Sequence, residues 1–218
     1  MDRRRSFPPT KIAIPACVFF GRILAKLKFE AEVWLWAWCL MTNHVHLVLL
    51  PESEESLSVL LRRVHGRYAQ YYNARWGRSG HLWQNRFFSC ILGSGHLWSA
   101  LAYVERNAVR AGMVEAAEDY PWSSAAAHAS GIDPTGLLDM AWWQNEGPKN
   151  WSATLNEEQA DGVQELRKCT YAGRPFGSPD FVREIGEKIG RTWVRGRPKK
   201  KQPESVSAAE RASQFSLF

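Results

Sequence analysis

EVWLWAWCLMTNHVHLVLL, residues 32–50, holds the pattern on which the fold turns. Residues 32–41 are aromatic, aliphatic or β-branched and read as a strand. Thr42 and Asn43 suit a tight turn, residues 44–50 return as the hairpin partner, and Pro51 ends the run. Side chains alternate across a strand, so His44, His46, Val48 and Leu50 share one row, and Val45, Leu47 and Leu49 share the other. A purely apolar strand has no use for two imidazoles on one face. Two such rings can chelate one divalent ion. The pair is equally compatible with partly buried histidines bonded to backbone, with a zinc hydrolase, or with a cupin-type site. A decision needs a third ligand and a reacting group.

Outward from the hairpin, the period changes. Leu57, Leu60, Leu61, Val64, Tyr68, Tyr71 and Tyr72 recur at helical spacing, so residues 56–73 read as an amphipathic helix with a basic side. Residues 75–86 form a Gly- and Arg-rich loop, and RFFSCIL (86–92) reads as a strand broken by Gly93 and Gly95. Residues 96–113 read as a helix that ends near Asn107. Upstream, residues 11–20 are expected to form a strand and 22–29 a weak helix. The order is βαββαβ with an added helix, an α+β fold of ferredoxin-like plan. In that plan the first strand is central, beside the strand with the histidines. Pro15 is a poor central-strand residue, so either Lys11–Ala16 or Cys17–Phe20 supplies that strand, or the sheet stays incomplete.

Beyond residue 118 the chain turns rich in Pro, Ser and Gly, and residues 155–170 and 178–190 read as helices. The expected organisation is a catalytic domain over 1–128, a helical region over 129–190 and a basic, disordered tail over 191–218. The whole chain has 218 residues, a net charge of +6 and 11 tryptophans. Its basic balance favours a polyanionic partner. Cys17, Cys39, Cys90 and Cys169 are scattered without a CxxC pair, which argues against a zinc ribbon or a disulfide framework and for reduced thiols in a cytoplasmic protein. No segment reaches the roughly 18 apolar residues of a membrane span.

The 96–107 helix offers what the histidines lack. Leu97, Leu101 and Val104 make its apolar stripe, while Tyr103 and Asn107, four apart, share another face. An amide oxygen at Asn107 suits a hard cation such as Mg²⁺ or Mn²⁺. Tyr103 is either a half-buried helix tyrosine or a nucleophile, and in the second role it needs a nearby metal or base.

Four segments, MTNHVHLVL, GHLWQNRF, AYVERNAVRAGMV and PWSSAAAH, together resemble the REP-associated tyrosine transposases, within the HUH single-tyrosine transposases of small bacterial insertion sequences. The resemblance is good over roughly residues 30–128 and looser over TYAGRPFGSPDFV to RGRPKK. It implies that His44, His46 and Asn107 hold Mg²⁺ or Mn²⁺ and that Tyr103 attacks single-stranded or hairpin DNA, leaving a 5′-phosphotyrosine. It implies a monomer or homodimer without a membrane partner. The chain departs from the family at Ala108, where a proline is usual, and at the N-terminus, which hardly matches. A relative impaired there would bind DNA without cutting it.

Arg62, Arg63, Arg67, Arg75, Arg78 and Arg86 cluster around the second helix and its loop, interleaved with Tyr72, Trp76, Trp83, Phe87 and Phe88. Arginines that follow a backbone beside rings that stack bases suit single strands and hairpins. A solvated basic face over an aromatic core is the plainer reading. In the tail, Arg195 and Arg197 in VRGRPKKK match the core of an AT-hook, whose Gly-Arg-Pro strip fits a narrow minor groove.

Overall fold

A computed structural model describes residues 10–84, 87–157 and 162–193, with side chains from Ala16 onward. The hairpin is present. Strand β1 (Val33–Leu40) pairs antiparallel with β2 (Val45–Pro51), and Met41 N–H donates to the His44 carbonyl at 2.9 Å to close the turn at Thr42 and Asn43. The register slips between Leu35 and Ala37, which makes Trp36 a bulge. One extra residue switches the alternation. Val33 and Leu35 before the bulge therefore share a face with Trp38 and Leu40 after it, and Ala37 and Cys39 take the opposite face.

The two faces are covered differently. Helices α1 (Thr10–Glu30) and α2 (Ser56–Arg75) pack together and against the Val33–Leu40 face, where Leu24, Leu27, Leu35, Leu60 and Val64 are buried. The opposite face carries Ala37, Cys39 and Val48 and meets α3 (Leu97–Glu105). Arg106, at φ −80° and ψ 6°, breaks the helix, and α4 (Asn107–Arg110) resumes it. Helices α5 (Ala125–Ser130), α6 (Met140–Glu146) and α7 (Trp151–Asn156) enclose the same core through Ala125, Trp143, Trp151 and Leu155. Helix α8 (Val163–Ala172) packs on α3, and α9 (Pro179–Lys188) follows. The free edge of β1 is occupied by irregular chain. Leu40 N–H donates to the Trp122 carbonyl, Ser124 N–H to the Trp38 carbonyl and Asp139 N–H to the Leu35 carbonyl. That arrangement satisfies backbone groups that a further strand otherwise pairs.

The α+β class holds, but the ferredoxin-like plan does not, because β1 and β2 make the only sheet among the described residues. The strand expected within 11–20 is part of α1. Ala16, Phe20, Ile23, Leu24 and Leu27 are all buried, and they recur at helical rather than alternate spacing. The weak helix expected over 22–29 is thus the second half of a longer one. The strand expected over 86–92 is also absent from the described part of that segment. Phe87, Phe88 and Ile91 are exposed, and a single bridge joins Leu92 to Phe176. The chain there lies on α8 and the segment before α9, where Cys90 and Leu92 pack beside Phe176. All four cysteines are free thiols. Among the described residues, no helix is long and apolar enough to cross a membrane.

Candidate functional site

The switched alternation at Trp36 decides where the histidines go. His46 lies opposite Cys39 in the register, on the side of the sheet that meets α3. His44, just before β2, sits beside it, and the ring centroids are 4.7 Å apart at 82°. The Asn43 side-chain oxygen lies 2.6 Å from His44 Nδ1, which fixes the orientation of that ring. From α3, Tyr103 brings its ring edge-on to His46, 5.7 Å between centroids at 89°. Tyr103, distant in the chain, is therefore contiguous with the His44–His46 pair.

Both imidazoles are shifted towards the neutral form. Partial burial, and then the charge of Arg167 on α8, lower the His44 pKa. Burial, with added repulsion from His44, Arg110 and Arg167, pushes His46 down to about 3. Neutral imidazoles are the ligand form of histidine.

Asn107 is connected to Tyr103 through Arg110. It is buried at the start of α4, its Nδ2 donates to the Val104 carbonyl at 3.1 Å, and its Oδ1 accepts from Arg110 Nη2 at 2.8 Å. Arg110 also donates to the Tyr103 carbonyl at 2.6 Å and lies 4.1 Å above the Tyr103 ring. Arg110 is thus the link between the phenol and the amide. Among the described residues no three His, Cys, Asp or Glu side chains gather as a metal cluster. Two neutral nitrogens and an amide oxygen are a donor set that Mg²⁺ or Mn²⁺ accepts, and in chemical type these residues fit such an ion.

What holds α3 in place is a buried polar cluster. Glu105 is fully buried, and its carboxylate accepts from the Ser124 hydroxyl and, at 2.7 Å, from Trp151 Nε1. His128 Nδ1 lies 2.6 Å from the same carboxylate, and the His128 ring stacks on Trp143 at 3.6 Å. Ser124 also bonds both backbone groups of Trp38. One carboxylate between Tyr103 and Asn107 is thereby tied to β1, α5 and α7.

Sequence reading did not single out Glu105, Ser124, His128, Arg110 or Arg167. Signals existed for two of them. Glu105 follows Leu101 at i+4 on the apolar stripe, where a lone carboxylate needs buried partners. Arg110 stands at i+7 from Tyr103 and i+3 from Asn107, on their side of the helix.

The expected DNA contacts divide into groups. Arg62, Arg67, Arg75 and Arg78 are exposed, and no carboxylate pairs with them among the described residues. Arg75 lies over Trp76 at 5.9 Å. Arg63 pairs with Glu30 at 2.6 Å. Trp83 folds back on α2, where its ring stacks on His65 at 4.1 Å and its Nε1 donates to the His65 carbonyl at 3.0 Å. Tyr72 is buried and Tyr71 stacks on Phe19 at 3.7 Å. Arg86, Arg195 and Arg197 lie outside the described residues.

Residues 17–107 match the family model described as "Transposase IS200 like". A curated protein of Haemophilus influenzae, "Putative REP-associated tyrosine transposase", is 26% identical over 97 residues, which cover 39% of this chain and 55% of that protein. The chain therefore spans about half the length of this curated relative. A solved REP-associated tyrosine transposase bound to a REP hairpin aligns at a TM-score of 0.48 and 23% identity, covering 62% of this chain and 78% of that one.

Proposed function

We propose that this chain, a relative of the IS200-like and REP-associated tyrosine transposases through residues 17–107, cuts and rejoins single-stranded or hairpin DNA through Tyr103. The observation that carries the reading is the edge-on contact of Tyr103 with His46, which brings the only chemistry-bearing tyrosine of α3 to the histidine pair. In this reaction the phenol oxygen of Tyr103 bonds to phosphorus in line with the departing group. The bond from phosphorus to the 3′-oxygen breaks, the phenol proton goes to water and the 3′-oxygen takes one up. The 5′-phosphotyrosine keeps the energy of the phosphodiester, so another 3′-hydroxyl can reverse the step and join strands without a nucleotide cofactor.

The remaining residues have roles that follow from their positions. His44, His46 and Asn107 would hold Mg²⁺ or Mn²⁺, which when bound supplies Lewis-acid polarisation of a phosphate oxygen. Arg110 places positive charge against the Tyr103 ring, beside the position that a phosphate would approach. Arg62, Arg67, Arg75 and Arg78 offer free cations to the phosphate backbone.

The test is a covalent adduct assay with single-stranded hairpin DNA and Mg²⁺ or Mn²⁺. A denaturant-stable protein–DNA adduct should form with the unaltered chain and disappear with Tyr103→Phe, with at least about a 100-fold loss for His46→Ala. An adduct that persists in Tyr103→Phe sinks the assignment. Salt-sensitive binding with no adduct identifies instead a DNA-binding relative that has lost turnover.

A further inference from the structure

Arg110 holds the amide oxygen of Asn107 and covers the ring of Tyr103. Its guanidinium bonds Asn107 Oδ1 at 2.8 Å and the Tyr103 carbonyl at 2.6 Å, and it covers the Tyr103 ring at 4.1 Å. All of these partners are neutral, and no carboxylate neutralises Arg110 among the described residues. Its charge is felt at His46. Asn107 is locked in this pose by its second bond, Nδ2 to the Val104 carbonyl at 3.1 Å. The side-chain oxygen of Asn107 is therefore in use by an arginine. A divalent ion and a guanidinium cannot both make close contact with one amide oxygen without strong repulsion.

We propose that Arg110 is a displaceable latch on Asn107: it occupies the amide oxygen in the free protein, and a divalent cation gains that ligand only by moving the guanidinium aside. The inference rests on the reading of His44, His46 and Asn107 as the metal position. Arg110 is solvent-reachable on α4, so its side chain has room to move. Once released from Asn107 it retains the Tyr103 carbonyl and the ring face. Arrival of the cation would thus hand the whole guanidinium charge to the nucleophile. Arg110 acts here as a positioning residue whose effect on metal binding is antagonistic.

Mn²⁺ binding to the full chain, read from the free-ion electron paramagnetic resonance signal without DNA, tests this. Arg110→Gln should bind Mn²⁺ about 10-fold tighter than the unaltered chain, because the guanidinium no longer holds the Asn107 oxygen. In an Asn107→Ala background the same substitution should have no effect beyond about 2-fold, because the contested oxygen is absent. Unchanged or weaker binding in Arg110→Gln, or a gain that survives Asn107→Ala, overturns the latch. A second measurement needs no variant. In a titration with Mg²⁺, the Arg110 Nε and Asn107 side-chain amide resonances should shift together along one binding curve, and an unmoved Arg110 signal also overturns it. Failure of the parent reading looks different: Mn²⁺ binding is then insensitive to His46→Ala, or absent from every variant, and both proposals fall.

Discussion

Glu105 carries more of the site's geometry than any residue that resembles a catalyst. It stands between Tyr103 and Asn107 in the chain, and its carboxylate accepts from Ser124 and Trp151 while contacting His128. Truncation leaves buried polar atoms without a partner, which costs about 1–3 kcal/mol for each group. Glu105→Ala should therefore lower the unfolding free energy by about 2–5 kcal/mol in urea denaturation, since more than one buried group loses its partner. Glu105→Gln keeps an acceptor and should lose clearly less. Equal losses in the two variants would mean that packing, not the polar cluster, holds α3. At this scale the sequence was legible where a periodicity carried the message. Alternation put His44 and His46 together, and helical spacing put Tyr103 near Asn107. It was silent where the partner is distant in the chain. Nothing local says that Glu105 meets Trp151 or that Arg167 comes near His44, because no backbone period relates them.

Helices α1 and α2 show how elements hid or revealed themselves. The sequence of α2 has buried Leu60, Leu61 and Val64 at helical spacing, and the helix lies where that spacing puts it. The sequence of α1 has an equally good stripe, but Pro15 and the expectation of a first strand split it into two unlike halves. Burial of Phe20, Leu24 and Leu27 on one side outweighs that local signal. The 86–92 run failed for the opposite reason. Its residues have strand propensity, but propensity expresses itself only beside a partner strand, and this segment packs against α8 and Phe176 instead. On the exposed side of α2 and just after it, Arg62, Arg67, Arg75 and Arg78 have no carboxylate partner among the described residues, whereas Arg63 pairs with Glu30. Arg62→Glu combined with Arg67→Glu should weaken binding to a single-stranded hairpin and make the slope of log K against log salt shallower by about 1–2. Arg63→Glu should act less, since Glu30 already neutralises it. A fluorescence-anisotropy salt series checks both, and equal slopes for all variants would move the DNA path off α2.

For the whole molecule, buried titratable groups set a window of pH in which the fold is most stable. On the alkaline side, burial pushes the Cys17 and Cys90 thiols up to about 11 and Cys39 to about 12, from an ordinary value of 9.0. Burial likewise pushes the Tyr120 phenol, which donates to the Leu40 carbonyl at 2.8 Å, up to about 12. The folded state then holds protons that the unfolded chain gives up, so this stability is complete below pH 9 and disappears as pH climbs towards 11 or 12. On the acid side the sign is reversed. Burial lowers His44, His46 and His65 below 6.5, so the unfolded chain binds protons that the folded state refuses. That stability is complete above 6.5 and is lost as pH falls. The melting temperature should thus be flat between about pH 6.5 and 9, and fall by on the order of 5 °C or more by pH 10.5 and again by pH 5. Calorimetry across this range separates the two limbs, because Cys39→Ala should flatten the alkaline fall and leave the acid one unchanged. The same burial should make Cys39 unreactive towards a thiol reagent at pH 8 until the protein unfolds, since the attacking species is the thiolate. A rapid reaction of Cys39 in the folded chain, or an alkaline limb indifferent to its removal, would mean that the face of the hairpin beneath the histidines is open to water and not the dry floor on which the site is built.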